Sequence, residues 1–115
     1  RMGMTDCLFC KIRDGEIPAE VIYKDDDCLA FRDINPKAPI HFLVIPRRHI
    51  ENLLDTTPSD EGLLGRIQLT IPQIANEQGL DSGFRTVLNT GPGGHQEVYH
   101  MHYHVLGGGP FTGFN

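Results

Sequence analysis

Apolar residues fall along this chain in three rhythms, and each rhythm predicts a different element. Leu63, Leu64, Ile67, Ile71, Ile74 and Ala75 recur at helical spacing, so one long helix is expected there. Thr57, Pro58 and Asp60 resemble a capping box with proline at the first helical position, and Gly79 supplies the stop. Pro72 lies inside the run, where it removes one backbone hydrogen bond and predicts a kink. Near the N-terminus, Cys7, Leu8, Phe9, Cys10 and Ile12 form a shorter helical run, with Thr5 or Asp6 as its cap and Gly15 as its end.

Short apolar runs bounded by turn residues predict strands. Val21-Ile22-Tyr23 pairs with Cys28-Leu29-Ala30-Phe31-Arg32 across an exposed Asp25-Asp26-Asp27 turn. Ile17-Pro18 forces an extended stretch before them, and Asp33 to Pro39 is a loop with two prolines. His41-Phe42-Leu43-Val44-Ile45-Pro46 is the most apolar run and belongs at the centre of a sheet. Residues 84–89 and 99–106 supply the remaining strands. Strands in runs with helices inserted predict one antiparallel α+β domain over residues 1–115, without repeats or linkers.

The third rhythm is the shortest and carries the chemistry. In Tyr99-His100-Met101-His102-Tyr103-His104-Val105-Leu106 three histidines occupy alternate positions. In an extended strand they share one face, while Met101, Tyr103 and Val105 turn into the core. The turn-rich stretch Gly91-Pro92-Gly93-Gly94-His95-Gln96 precedes them, and Gly107-Gly108-Gly109-Pro110 ends the strand. Free backbone N–H groups feeding a row of imidazoles suit a phosphoryl group. Alternating histidines also chelate metals, so a metal-dependent hydrolase built on His100, His102 and His104 is a second reading.

Composition narrows the field. A chain of 115 residues with 39% hydrophobic and 22% charged residues is a soluble globular domain of ordinary size. Its net charge of −5 excludes the basic face of a nucleic-acid binder. No apolar run approaches the ~20 residues of a membrane span, and the first residues lack the apolar core of a signal peptide. Three cysteines, two of them in Cys7-Leu8-Phe9-Cys10, do not form a secreted disulfide framework. A cytoplasmic location is expected. The Cys7–Cys10 spacing supplies two ligands of a metal site, short of the usual four.

At this point the residues carry a family resemblance. His100-Met101-His102-Tyr103-His104-Val105-Leu106 resembles the histidine-triad signature. Phe31-Arg32-Asp33-Ile34, then Ala38 to Pro46, then Arg48-His49-Ile50, are similar to that family's nucleotide-binding half. Asn89 and Gly94-His95-Gln96-Glu97-Val98-Tyr99 match the segment before the triad. The likeness spans nearly the whole chain and is nearest the small histidine-triad nucleotide-binding proteins, which are purine nucleoside phosphoramidases.

The resemblance implies a mechanism. His102 attacks the α-phosphorus of a nucleoside phosphoramidate, expels the amine and forms a nucleotidyl-histidine that water then hydrolyses. The carbonyl of His100 holds the His102 tautomer. His104 and Asn89 bond phosphate oxygens, helped by backbone donors of the 91–96 loop, and His41 supports the site. Asp33 reads the ribose hydroxyls, while Ile34, Phe31, Leu8, Phe9 and Leu43 form the base slot. Gln96, Glu97 and Val98 complete the nucleotide-binding set. Part of the family holds a structural zinc through the positions occupied here by Cys7, Cys10, His49 and His100. The resemblance also implies a homodimer whose sheets join.

Two positions depart from the pattern. Glu97 stands where many members have a serine near the leaving group, and His95 replaces a loop glycine. Both bear on leaving-group preference. Two further readings accompany the phosphoramidase: a nucleotide-binding scaffold with little turnover, and a dinucleoside-polyphosphate hydrolase.

Overall fold

The computed structural model describes residues 6–114. Two helices and five strands follow one another as α1 (Leu8–Arg13), β1 (Val21–Lys24), β2 (Cys28–Arg32), β3 (Ile40–Pro46), α2 (Glu61–Glu77), β4 (Arg85–Val87) and β5 (Tyr103–Gly107). All strand pairs are antiparallel, in the order β1-β2-β3-β5-β4. The fold is thus α+β, with β3 at the centre, where its apolar run belongs.

Alternation along the strands sorts side chains onto two faces. Cys28, Ala30, Phe42, Val44, Tyr103 and Val105 join one buried cluster with Ile67, Ile71, Ile74 and Ala75 of α2. Leu29, Phe31, Leu43 and Ile45 turn the other way, toward Cys7, Phe9 and Cys10 at α1. Each strand therefore serves the long helix with one set of side chains and the short helix with the other. The histidines lie on the α1 face.

The start of α1 differs from expectation. Cys7 is the cap, its Sγ accepting from the Cys10 N–H at 3.3 Å; Thr5 lies outside the described residues. The Thr57–Asp60 box is present, with the Thr57 N–H donating to Asp60 Oδ2 at 2.9 Å. It caps a 3-10 turn at Pro58–Asp60 that leads into α2. Pro72 sits on the exposed side of α2, and the helix continues past it to Glu77. Gly79, at φ +86°, reverses the chain as an L side chain would resist doing.

The last strand is shorter than the 99–106 expected. Pairing begins at Tyr103, so only His104 of the three alternating histidines lies within the ladder. The reason is competition upstream. The Met101 N–H bonds to the Ile50 carbonyl at 2.7 Å, and β4 reaches only Arg85–Val87 rather than 84–89. The alternation nevertheless persists. Met101 is fully buried in the α2 cluster, while His100 and His102 face the opposite side.

Candidate active site

The triad rings form part of an arc. Ring centroids step from Phe9 to His102 at 5.1 Å, His102 to His104 at 5.0 Å, and His104 to His41 at 5.2 Å. Register explains the last step: Leu43 pairs with His104 and His41 with Leu106, so His41 and His104 are diagonal neighbours on one sheet face.

Hydrogen bonds fix where the protons sit. Lys37 donates its backbone N–H to His41 Nδ1 at 3.0 Å. That nitrogen is an acceptor, so neutral His41 carries its proton on Nε2. His41 Nε2 lies 2.9 Å from His104 Nδ1, which must therefore accept. Neutral His104 is left with its N–H on Nε2. Burial pushes the pKa values of His41 and His104 down, His104 to about 4, so both rings are neutral near pH 7. The Lys37 peptide N–H thus dictates, two rings away, which nitrogen of His104 donates.

His102 is set by a different contact. Its Nδ1 lies 2.8 Å from the His100 carbonyl, which can only accept, so the ring proton belongs on Nδ1. The other nitrogen, Nε2, keeps its lone pair. Burial also lowers the pKa of His102, against the opposing bond to the His100 carbonyl. His102 is 7% exposed, at the floor of a cavity of about 600 Å³. That volume lies within the usual range of small-molecule sites.

The cavity is lined by Leu8, Phe9, Phe31, Asp33, Ile34, His41, Leu43, Asn89, Glu97, Val98, His102 and His104. Two expected residues lie elsewhere. Gln96 is buried and its amide is fully used: Nε2 donates to the Glu51 and Val98 carbonyls, and Oε1 accepts from Asn52 Nδ2 and the Gly91 N–H. It braces the loop instead of lining the cavity. His100 is fully buried behind it, and its carbonyl, not its ring, serves His102.

The loop also supplies fewer backbone donors than expected. The N–H groups of Gly94, His95 and Gln96 close a turn onto Gly91 and Pro92 carbonyls. His95 adopts the left-handed conformation at φ 60°. Ile12, Ile17, Pro18, Ala19, Lys37 and His95 line the cavity as well. Sequence reading treats Ile17-Pro18-Ala19 as a connector, since only the docking of α1 makes it a wall.

A second histidine cluster lies behind the cavity. Cys7 Sγ is 3.4 Å and Cys10 Sγ 3.5 Å from His100 Nδ1, and Cys10 Sγ is 3.4 Å from His49 Nδ1. A tetrahedral zinc with sulfur at about 2.3 Å and nitrogen at about 2.0 Å would separate these atoms by about 3.5 Å. All four ligand atoms lie within 4.8 Å of one another. His100 Nε2 donates to the Pro46 carbonyl at 2.7 Å, which leaves Nδ1 free to ligate. Burial pushes the Cys10 thiol up to about 11, so thiolates here require a cation. The donor set fits zinc. Asp33, His41 and His104 also approach one another, but the Lys37 N–H on His41 Nδ1 keeps a proton on the nitrogen that would have to ligate. His100 turns its Nδ1 to the two thiols and its Nε2 to the Pro46 carbonyl. Among the described residues the three triad rings do not gather their nitrogens as one ligand group, which removes the geometric basis for a metal on His100, His102 and His104.

Fold and site together define an α+β domain with a tautomer-fixed imidazole at the floor of a small-molecule cavity. A family model described as "Scavenger mRNA decapping enzyme C-term binding" matches residues 6–112. An uncharacterised HIT-like protein of Synechococcus elongatus is 55% identical over 103 residues, 90% of each chain. The crystal structure of a HIT family hydrolase from Legionella pneumophila superposes with a TM-score of 0.89 at 49% identity, covering 93% of this chain and 96% of that one. A zinc-bound histidine triad family protein from Mycobacterium smegmatis gives a TM-score of 0.76 at 37% identity, covering 90% and 76%. The chain belongs to the histidine-triad (HIT) family.

Proposed function

We propose that the protein is a hydrolase that cleaves the P–N bond of purine nucleoside phosphoramidates through a nucleotidyl-histidine on His102. One observation carries this reading: His102 has its Nδ1 on the His100 carbonyl at 2.8 Å and its other nitrogen toward the cavity. In the first step the Nε2 lone pair bonds to phosphorus. The P–N electron pair leaves with the amine nitrogen, which takes a proton from water at the cavity mouth. The modified ring then carries one positive charge, eased by its Nδ1–H on the carbonyl. In the second step water attacks phosphorus, the Nε2–P bond breaks, and the nucleoside monophosphate leaves with release of one proton. His104 Nε2–H and Asn89 bond the phosphate oxygens as their charge grows. Asp33 accepts from the ribose hydroxyls, and Leu8, Phe9, Phe31, Leu43 and Ile34 hold the base.

A zinc held by Cys7, Cys10, His49 and His100 belongs to the same proposal, as a structural pin that draws the two thiols into thiolates and ties α1 to the loop after β3. A homodimer does too, formed through the exposed edge strand β4 and recognised by a mass twice the 12.8 kDa of the chain.

The test is intact-protein mass spectrometry after rapid quenching with an adenosine phosphoramidate, beside His102→Ala. An AMP adduct on the parent chain, absent from the variant, with AMP released over time, is the expected result. Nucleotide binding with neither adduct nor AMP would leave a binding module in its place. Turnover confined to a dinucleoside polyphosphate in the same assay would move the reading to that hydrolase class.

A further inference from the structure

We infer that Glu97 selects phosphoramidates whose departing amine carries an additional positive charge, such as an ω-aminoalkyl amine. This inference rests on the reading of His102 as nucleophile and names the substrate class. An in-line displacement puts the leaving group opposite the attacking nitrogen. His102 lies buried at the cavity floor, so the amine points to the mouth. Glu97 and His95, both exposed, line the cavity together with His102.

A carboxylate beside a phosphate site needs a reason, because it repels the substrate it borders. Asp33, the other acid lining the cavity, has one: Oδ1 accepts the Asn35 N–H at 2.8 Å, Oδ2 lies 3.5 Å from His41 Nε2, and the ribose reading uses what remains. Glu97 takes part in no ion pair among the described residues. The cationic side chains among the lining residues are committed to other groups. Arg32 Nε holds Glu20 and its Nη2 holds Gln78, while Lys37 Nζ donates to the Asn35 carbonyl. Neither forms an ion pair with Glu97. A cationic tail on the leaving amine does so, and its attraction to Glu97 offsets the repulsion between carboxylate and phosphate.

The experiment compares two adenosine phosphoramidates of equal length, one ending in an ammonium and one in a hydroxyl, on the parent protein and on Glu97→Gln. An exposed ion pair is worth roughly a two- to fivefold change, so kcat/KM should favour the ammonium compound by roughly that factor at low salt. The preference, read as the ratio of the two compounds, should shrink with added salt and vanish in Glu97→Gln. The same pair is titrated by calorimetry into His102→Ala, with and without Glu97→Gln in the same chain, which reads the preference without turnover. Equal affinities and equal kcat/KM for the two compounds on the parent protein, or a preference that survives Glu97→Gln, would overturn the inference while leaving the phosphoramidase reading intact. Absence of turnover by the parent, with the calorimetric preference present and lost on Glu97→Gln, would retain the charge selection and reject the nucleophile.

Discussion

At the scale of single residues, the site is a matter of proton placement. Four contacts decide it: Lys37 N–H on His41, His41 on His104, and the carbonyls of His100 and Pro46 on the rings of His102 and His100. His41→Ala should release His104 to either tautomer. Steady-state kinetics with an adenosine phosphoramidate are expected to show kcat down by about tenfold, the equivalent of one lost hydrogen bond of about 1.4 kcal/mol, with KM changed much less. An unchanged kcat would mean that the chain of rings does not govern the donor. His104 also makes a prediction about pH. Its pKa is about 4 in the fold, mainly through burial, against about 6.5 when unfolded. Between those values the unfolded chain binds the extra proton, so stability is present above pH 6.5 and falls as pH drops toward 4. Urea midpoints measured across that window should fall more gently for His104→Gln than for the parent.

The elements show how local preference and tertiary contact divide the work. The helical rhythm of Leu63 to Ala75 and the stop at Gly79 were legible because both are local in sequence. So was the alternation of His100 to Val105, since packing either side of a sheet repeats every two residues. The end of β5 was not legible, because Met101 is claimed by Ile50, about fifty residues away. The role of Gln96 was hidden for the same reason: its partners Glu51 and Asn52 come from the loop after β3. Pro72 offers a test at this scale. It stands exposed in α2, where a residue with an N–H could complete the helical bonding. Pro72→Ala should therefore stabilise the domain by about 1–3 kcal/mol, seen as a higher urea midpoint at unchanged slope. A lower midpoint would show that the helix is shaped around the proline.

For the molecule as a whole, α1 joins two sites. Its cap Cys7 and its Cys10 belong to the candidate metal site, and its Leu8, Phe9 and Ile12 line the cavity. His100 joins them again, with its ring in the cluster and its carbonyl on His102. Removal of a bound zinc with a chelator should lower Tm by more than about 10 °C, from the several kcal/mol that a tightly held ion contributes. Turnover measured well below that midpoint should persist. Loss of turnover restored by zinc, with Tm unmoved, would instead assign the metal to the chemistry. Among the described residues, no helix is long and apolar enough to cross a membrane.

The sequence by itself determined the strand and helix rhythms and the face that carries the histidines. These follow from residue type and short-range spacing, which the backbone geometry of helices and strands converts directly into position. Only the tertiary structure decided the proton on each ring, the withdrawal of Gln96 from the cavity, the spent donors of the 91–96 loop and the wall formed by Ile17, Pro18 and Ala19. Each of these depends on a partner brought close by folding, and a hydrogen bond is made or lost over a few tenths of an ångström, a distance that no sequence spacing encodes.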